Sequence, residues 1–133
     1  MIDSSQLLER AVEMKASDIF ITVGVPPTFK IDGKLVPLEH PVLNPEDTEE
    51  FAKSLFKREE HYKEFLENGD KDFSVSLKGV GRYRVVVYNQ RGSFAVAIRV
   101  LSFIQDEPED LRIPQSVLNF HRRTKGLVLI TGP

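Results

Sequence analysis

The sequence predicts an α+β domain, an antiparallel sheet with amphipathic helices packed against it, and three observations carry that reading. Apolar residues recur at helical spacing in the first third of the chain and again between Asn44 and Asn68. From Phe73 the period changes to two, as in strands with one buried face. Between these runs stand tight turns, Asp32-Gly33 above all, of the kind that joins neighbouring antiparallel strands.

The elements follow in order. Leu7, Leu8, Ala11, Val12 and Met14 behind Ser4 and Ser5 predict a helix from about Gln6 to Lys15, capped by one of the two serines. Asp18 to Val23 is an apolar, β-branched run closed by Gly24 and Pro26-Pro27, hence a strand followed by a forced extended turn. Thr28–Ile31 and Lys34–Val36 flank Asp32-Gly33 and form a hairpin, because both central residues of such a turn need positive φ. Asn44-Pro45-Glu46-Asp47 starts a helix: a capping side chain, proline at the first helical position and two acids facing the helix dipole. Thr48, Phe51, Ala52 and Leu55 make its buried stripe. A further helix carries Tyr62, Phe65 and Leu66 and stops at Asn68-Gly69.

Phe73, Val75 and Leu77 alternate with Asp72, Ser74 and Ser76; after the turn Lys78–Gly81 come strands Arg82–Asn89 and Ser93–Val100, joined at Arg91-Gly92. These three strands form a meander. The polar, acidic segment Gln105–Asp110 reads as a domain-edge linker, with a short helix after Pro114 carrying Val117, Leu118 and His121. Gly126–Thr131 is continuously apolar, as in strands buried on both faces of a parallel sheet, so a second domain is expected to begin there. The expected division is therefore residues 1–104 as the domain, 105–125 as linker and short helix, and 126–133 as the first strand of a second domain.

Composition narrows the function. A formal charge of -2 excludes a uniformly basic nucleic-acid binder, so any anion site must come from local clustering of Lys and Arg. Without cysteine there is no disulfide framework and no thiolate nucleophile or metal site. Met1–Gln6 carries no basic segment followed by an apolar stretch, and a cytoplasmic protein is expected. His40, His61 and His121 are scattered without metal-site spacing and read as surface or packing residues.

One cluster remains. Between Asp72 and Asp106 there is no acidic residue, yet Lys78, Arg82, Arg84, Arg91 and Arg99 all fall inside that window. Strand parity puts Tyr83, Val85 and Val87 on one face and Arg82 and Arg84 on the other. A two-residue turn at Arg91-Gly92 pairs Val87 with Val96 and Val85 with Ile98, which sets Arg84 directly opposite Arg99. Facing like charges are unfavourable and ask for an anion or a carboxylate from elsewhere. Arginine suits phosphate, because its planar fork donates two parallel hydrogen bonds. The competing reading is a solvated sheet face, or one covered by the acidic helices of residues 44–68. Thr131-Gly132-Pro133 closes the chain as a strand feeding a phosphate loop would begin, with Gly132 as the first glycine of G-x-x-x-x-G-K-[ST].

The segments Ala16-Ser17-Asp18-Ile19-Phe20, Val25-Pro26-Pro27, Ile31–Leu35, Asp72-Phe73-Ser74, Gly81–Val85, Gln90-Arg91-Gly92 and Gly126–Pro133, in that order, resemble the PilT/PilB/GspE family of hexameric pilus-motor and secretion ATPases. The early start of the first helix looks like the short, retraction-type members. The resemblance implies a PAS-like amino-terminal domain joined by a flexible linker to a RecA-like ATPase domain, six copies forming a ring. It implies that arginines of this domain reach the nucleotide phosphates, on Arg82, Arg84 and Arg99. Phe20 and Asn89, where members vary, receive no role. ATP and Mg²⁺ are implied for the full-length parent and none for this fragment, which holds no complete phosphate loop and is expected to be inert by itself. The implied partners are its own RecA-like domain, the neighbouring subunits of a homohexamer and an inner-membrane platform protein of the pilus, with no nucleic acid. The implied location is cytoplasmic, peripheral to the inner membrane. A ligand-binding or dimerising PAS-like module is the alternative; it requires an enclosed pocket, whereas the motor domain requires its arginines exposed on an open face.

Overall fold

The structure, a computed structural model, describes residues 3–101 and 107–132. Contacts divide the chain into two units, Met1–Phe103 and Ile104–Pro133.

The first unit begins with α1 (Ser4–Glu13). Its cap is Asp3, whose carboxylate accepts from the Gln6 backbone N–H at 3.1 Å, and not one of the expected serines, which lie inside the first turn. The helix also ends earlier than expected. Lys15 takes a left-handed conformation (φ 54), and Ala16 and Lys15 N–H groups return to the Ala11 and Val12 carbonyls, which closes the last turn. Three short strands follow: β1 (Asp18–Ile21), β2 (Thr28–Ile31) and β3 (Lys34–Pro37). Asp32 and Gly33 both have positive φ, as the tight turn between β2 and β3 demands.

Helix α2 (Pro45–Leu55) starts as its sequence predicts, and the cap is reciprocal. Asn44 accepts from the Asp47 N–H at 2.8 Å while Asp47 accepts from the Asn44 N–H at 2.9 Å. Thr48, Phe51, Ala52 and Leu55 are its buried residues. Helix α3 (Glu59–Asn68) ends at Gly69 in the left-handed conformation, yet it buries only Phe65. Leu66, grouped with Phe65 as an apolar residue of this helix, is 52% exposed: one residue is 100° around a helix, so Leu66 leaves the face that Phe65 presents. The meander then runs through β4 (Asp70–Leu77), β5 (Gly81–Gln90) and β6 (Ser93–Leu101).

All six strands make one antiparallel sheet in the order β3-β2-β1-β6-β5-β4. Within the meander the register is the one the turn at Arg91-Gly92 predicts, with Val85 opposite Ile98 and Arg84 opposite Arg99. What joins the two hairpins is β1 against β6, a pairing across some eighty residues of chain (Ile19 with Ile98). One face of the sheet is covered. Ile19, Ile21, Phe29, Tyr83, Val85, Val87, Val96 and Ile98 pack there with Leu7, Leu8 and Ala11 of α1, Phe51, Ala52 and Leu55 of α2, and Phe65 of α3 in a single core. Helix α2 lies on β6 and α3 along β4. The Tyr83 hydroxyl donates to the Leu8 carbonyl at 3.1 Å and fastens α1 over β5; its burial also pushes the phenol's pKa up.

In the second unit, α4 (Gln115–Leu118) and a single 3₁₀ turn, Asn119–Arg122, follow Pro114. Gln105 and Asp106, the start of the expected linker, lie outside the described residues, as does Pro133. The apolar run expected to be a strand has no strand partner among the described residues, and Leu127, Leu129 and Ile130 are exposed. A strand is defined by its ladder, and none of the described residues supplies one here.

Candidate functional site

The helices cover one face of the sheet and leave the other open. On the open face Asp18 of β1, Arg99 of β6, Arg84 of β5 and Ser74 of β4 lie in register across four neighbouring strands. Asp72 stands two residues from Ser74 on the same strand and face, diagonal to Arg84. The charges across the sheet thus run negative, positive, positive, negative. Between them Val86 and Ala97 floor a depression of about 290 Å³.

The facing arginines have found carboxylates of their own unit. Arg84 forks onto Asp72: Nη2 donates to Oδ2 at 2.7 Å, and Nε lies 3.2 and 3.1 Å from the two oxygens. Among the described residues Arg99 makes one such contact, from Nε to Asp18 Oδ1 at 3.3 Å. Both guanidinium side chains stay open to solvent, at 65% and 70% exposure. Arg82, on the same face one pleat along, sits opposite Ser76 and Leu101, is exposed, and has no ion-pair partner among the described residues. The three predicted arginines therefore share one open face. Of the two expected counter-charges, an anion or a carboxylate, Arg84 and Arg99 have carboxylates, and these come from β4 and β1 and not from the acidic helices of residues 44–68.

Asp18 and Asp72 were missed in the linear reading. Asp72 had a signal: it alternates with Phe73, which puts it on the arginine face, and the short turn after Leu77 folds β4 back on β5. Asp18 had none, because its place beside Arg99 depends on the distant pairing of β1 with β6. The Asp18 side chain is only 16% exposed and its second oxygen accepts from the Ser17 hydroxyl at 2.8 Å.

Hydrogen bonding from Arg84 holds the Asp72 carboxyl below its ordinary pKa, and Asp72 in turn raises that of Arg84. A folded-state value below the unfolded one contributes stability above the unfolded pKa, near pH 4, and loses it as pH falls through the folded value. In urea unfolding, the stability difference between the native chain and Asp72→Asn is expected to narrow below about pH 4 and close in stronger acid. A difference that stays constant down to about pH 2 would refute the pairing.

The other predicted positions stand apart from this face. Gly132 is exposed in the second unit, with open space where a side chain would start. His40 is exposed with Nδ1 2.8 Å from the Pro41 carbonyl, His61 is half-buried on α3, and His121 Nδ1 lies 2.5 Å from the Leu118 carbonyl. Among the described residues there is no group of His, Cys, Asp and Glu able to hold a metal ion, and no helix long and apolar enough to cross a membrane.

No family model matches the chain. It is 32% identical over 131 residues to the type IV pilus ATPase PilU of Pseudomonas aeruginosa, an alignment that covers 98% of this chain and 34% of PilU. With the type IV pilus retraction ATPase PilT of the same organism the identity is 28% over 134 residues, 99% of this chain and 38% of PilT. The chain thus spans roughly a third of the length of these relatives. Among solved structures, that of the pilus retraction motor PilT with bound ADP superimposes with a TM-score of 0.78 at 42% identity, covering all of this chain and 39% of that one. The DotB ATPase of Yersinia pseudotuberculosis, at 18% identity and a TM-score of 0.67, shares the fold.

Proposed function

We propose, on the premise that its homologues are the type IV pilus ATPases PilU and PilT and that it corresponds to their amino-terminal part, that this chain is the PAS-like domain of a hexameric pilus-retraction ATPase. In this reading the parent binds ATP and Mg²⁺ in a RecA-like domain that begins at about residue 126 and carries the phosphate loop opened by Gly132. Arg82, Arg84 and Arg99 reach the nucleotide phosphates from their open sheet face. The domain moves as a rigid body when the nucleotide changes, with the segment from about Gln105 to Ile113 as hinge. Its partners are its own RecA-like domain, neighbouring subunits and the inner-membrane platform of the pilus, on the cytoplasmic side, and nucleic acid has no part.

The observation that carries this reading is the placement of Arg84 and Arg99 directly opposite each other, both exposed, on the face that the helices leave uncovered. Guanidinium forks so placed fit phosphate oxygens. When bound, Mg²⁺ neutralises phosphate charge, and the carboxylate and hydroxyl that hold it are expected after Pro133. What this domain adds is positive charge brought to the phosphates from a second body, so turnover is sensitive to the distance between the two.

In the full-length parent, replacing Arg82, Arg84 and Arg99 one at a time with Ala is expected to lower steady-state ATP turnover by at least about tenfold at Arg84 and Arg99, with the circular dichroism spectrum unchanged. Turnover unaltered in all three variants would defeat the assignment.

A further inference from the structure

The two carboxylates of the open face have more to do than neutralise charge. Arg84 and Arg99 are direct cross-strand neighbours, a spacing at which like charges repel. Each guanidinium turns outward, to a carboxylate on the strand beyond it: Arg84 to Asp72 on β4, Arg99 to Asp18 on β1. The pairs thereby pull the two arginines apart in opposite directions, over the depression floored by Val86 and Ala97.

We propose that Asp72 and Asp18 are exchange partners of the arginines: they hold Arg84 and Arg99 splayed apart while no anion is present and yield them to a phosphate group seated between, so that the carboxylates set how tightly the nucleotide binds. This rests on the phosphate role of the arginines argued above. Ion pairs whose guanidiniums stand open to solvent hold weakly, whereas one phosphate offers charge-assisted bonds to both guanidiniums at once and removes their mutual repulsion. The exchange therefore runs toward phosphate, and the pairs act as competitors of modest strength. The two differ in grip. Arg84 is held by Asp72 through two nitrogens and Arg99 by Asp18 through one at 3.3 Å, so Asp72 is the stronger brake of the two carboxylates.

Competition has a signature that a structural role lacks. Neutralising Asp72 leaves Arg84 without its carboxylate beside Arg99, which lowers the stability of the free protein and raises its affinity for an anion. A carboxylate that merely shaped the site would, on removal, lower both.

The test is ADP binding to the full-length parent by titration calorimetry. Asp72→Asn is expected to bind ADP about two- to five-fold more tightly than the native protein, and Asp18→Asn to shift it in the same direction by less. Arg84→Ala is expected to weaken binding, and in that background Asp72→Asn should change nothing. Asp72→Ser serves as the second neutral variant should Asn disturb the fold. ADP affinity unchanged or weakened by Asp72→Asn and Asp72→Ser, while Arg84→Ala weakens it, overturns the exchange and leaves the arginine assignment standing. Affinity unaltered in both Arg84→Ala and Arg99→Ala removes the assignment itself, and the exchange with it.

Discussion

Phe65→Ala is expected to destabilise the first unit by about 3–5 kcal/mol in urea unfolding and to free α3 from β4 before the rest of the sheet opens. Phe65 is completely buried and is the deepest residue that α3 sends into the core, with Tyr62 half-buried beside it. Its ring lies 4.8 Å from that of Phe94 on β6, edge to face, and stacks at 5.8 Å on Phe56, which in turn is 4.7 Å from Phe73 on β4. Truncation therefore removes transfer energy, leaves a cavity between helix and sheet and breaks aromatic pairs worth about 0.5–1.5 kcal/mol each. Leu66, its exposed neighbour, provides the contrast: Leu66→Ala should cost less than about 1 kcal/mol. Equal losses at both positions would mean that α3 docks by a different face. Amide exchange should find the α3 amides of Phe65→Ala opening well before those of β5 and β6.

Ala52→Leu should follow in size, at about 1–3 kcal/mol, through the opposite mechanism. Ala52 is fully buried on the stripe by which α2 lies on β6. A longer side chain must leave its rotamer or push the helix from the sheet, because protein interiors hold few voids. Glu50→Ala, on the solvent side of the same helix, should move stability by no more than about 0.5 kcal/mol. If Ala52→Leu proved neutral in equilibrium unfolding, the close approach of α2 to the sheet would be wrong.

Much of this architecture is legible residue by residue. Asn44-Pro45 with Asp47 announces a helix start, since each satisfies a backbone group that the first turn leaves orphaned. Arg91-Gly92, both at positive φ, ties β5 to β6 in one register, and the alternation of Tyr83, Val85 and Val87 then assigns the faces. Local misreadings were local in cause. Asp3 outcompeted two serines for the same cap, and Leu66 was grouped with Phe65 although one helical step turns it to solvent.

The carboxylates of the open face went unnamed for a different reason. Counted along the chain, Asp72 marks the edge of an acid-free window; in the sheet it lies diagonal to Arg84 and within its fork. Asp18 lies outside the window altogether, some eighty positions before Arg99, and faces it in the ladder.

By itself the sequence determined the helices, the two hairpins and the side-by-side placement of Arg84 and Arg99, because caps, turns and alternation act over a few residues and leave one local answer. Only the tertiary structure decided that β1 closes against β6 and so brings Asp18 to Arg99. A strand carries half of its hydrogen bonds unmade, and which distant strand completes them depends on burying Ile19 and Ile21 in the shared core, a choice that no short window of residues contains.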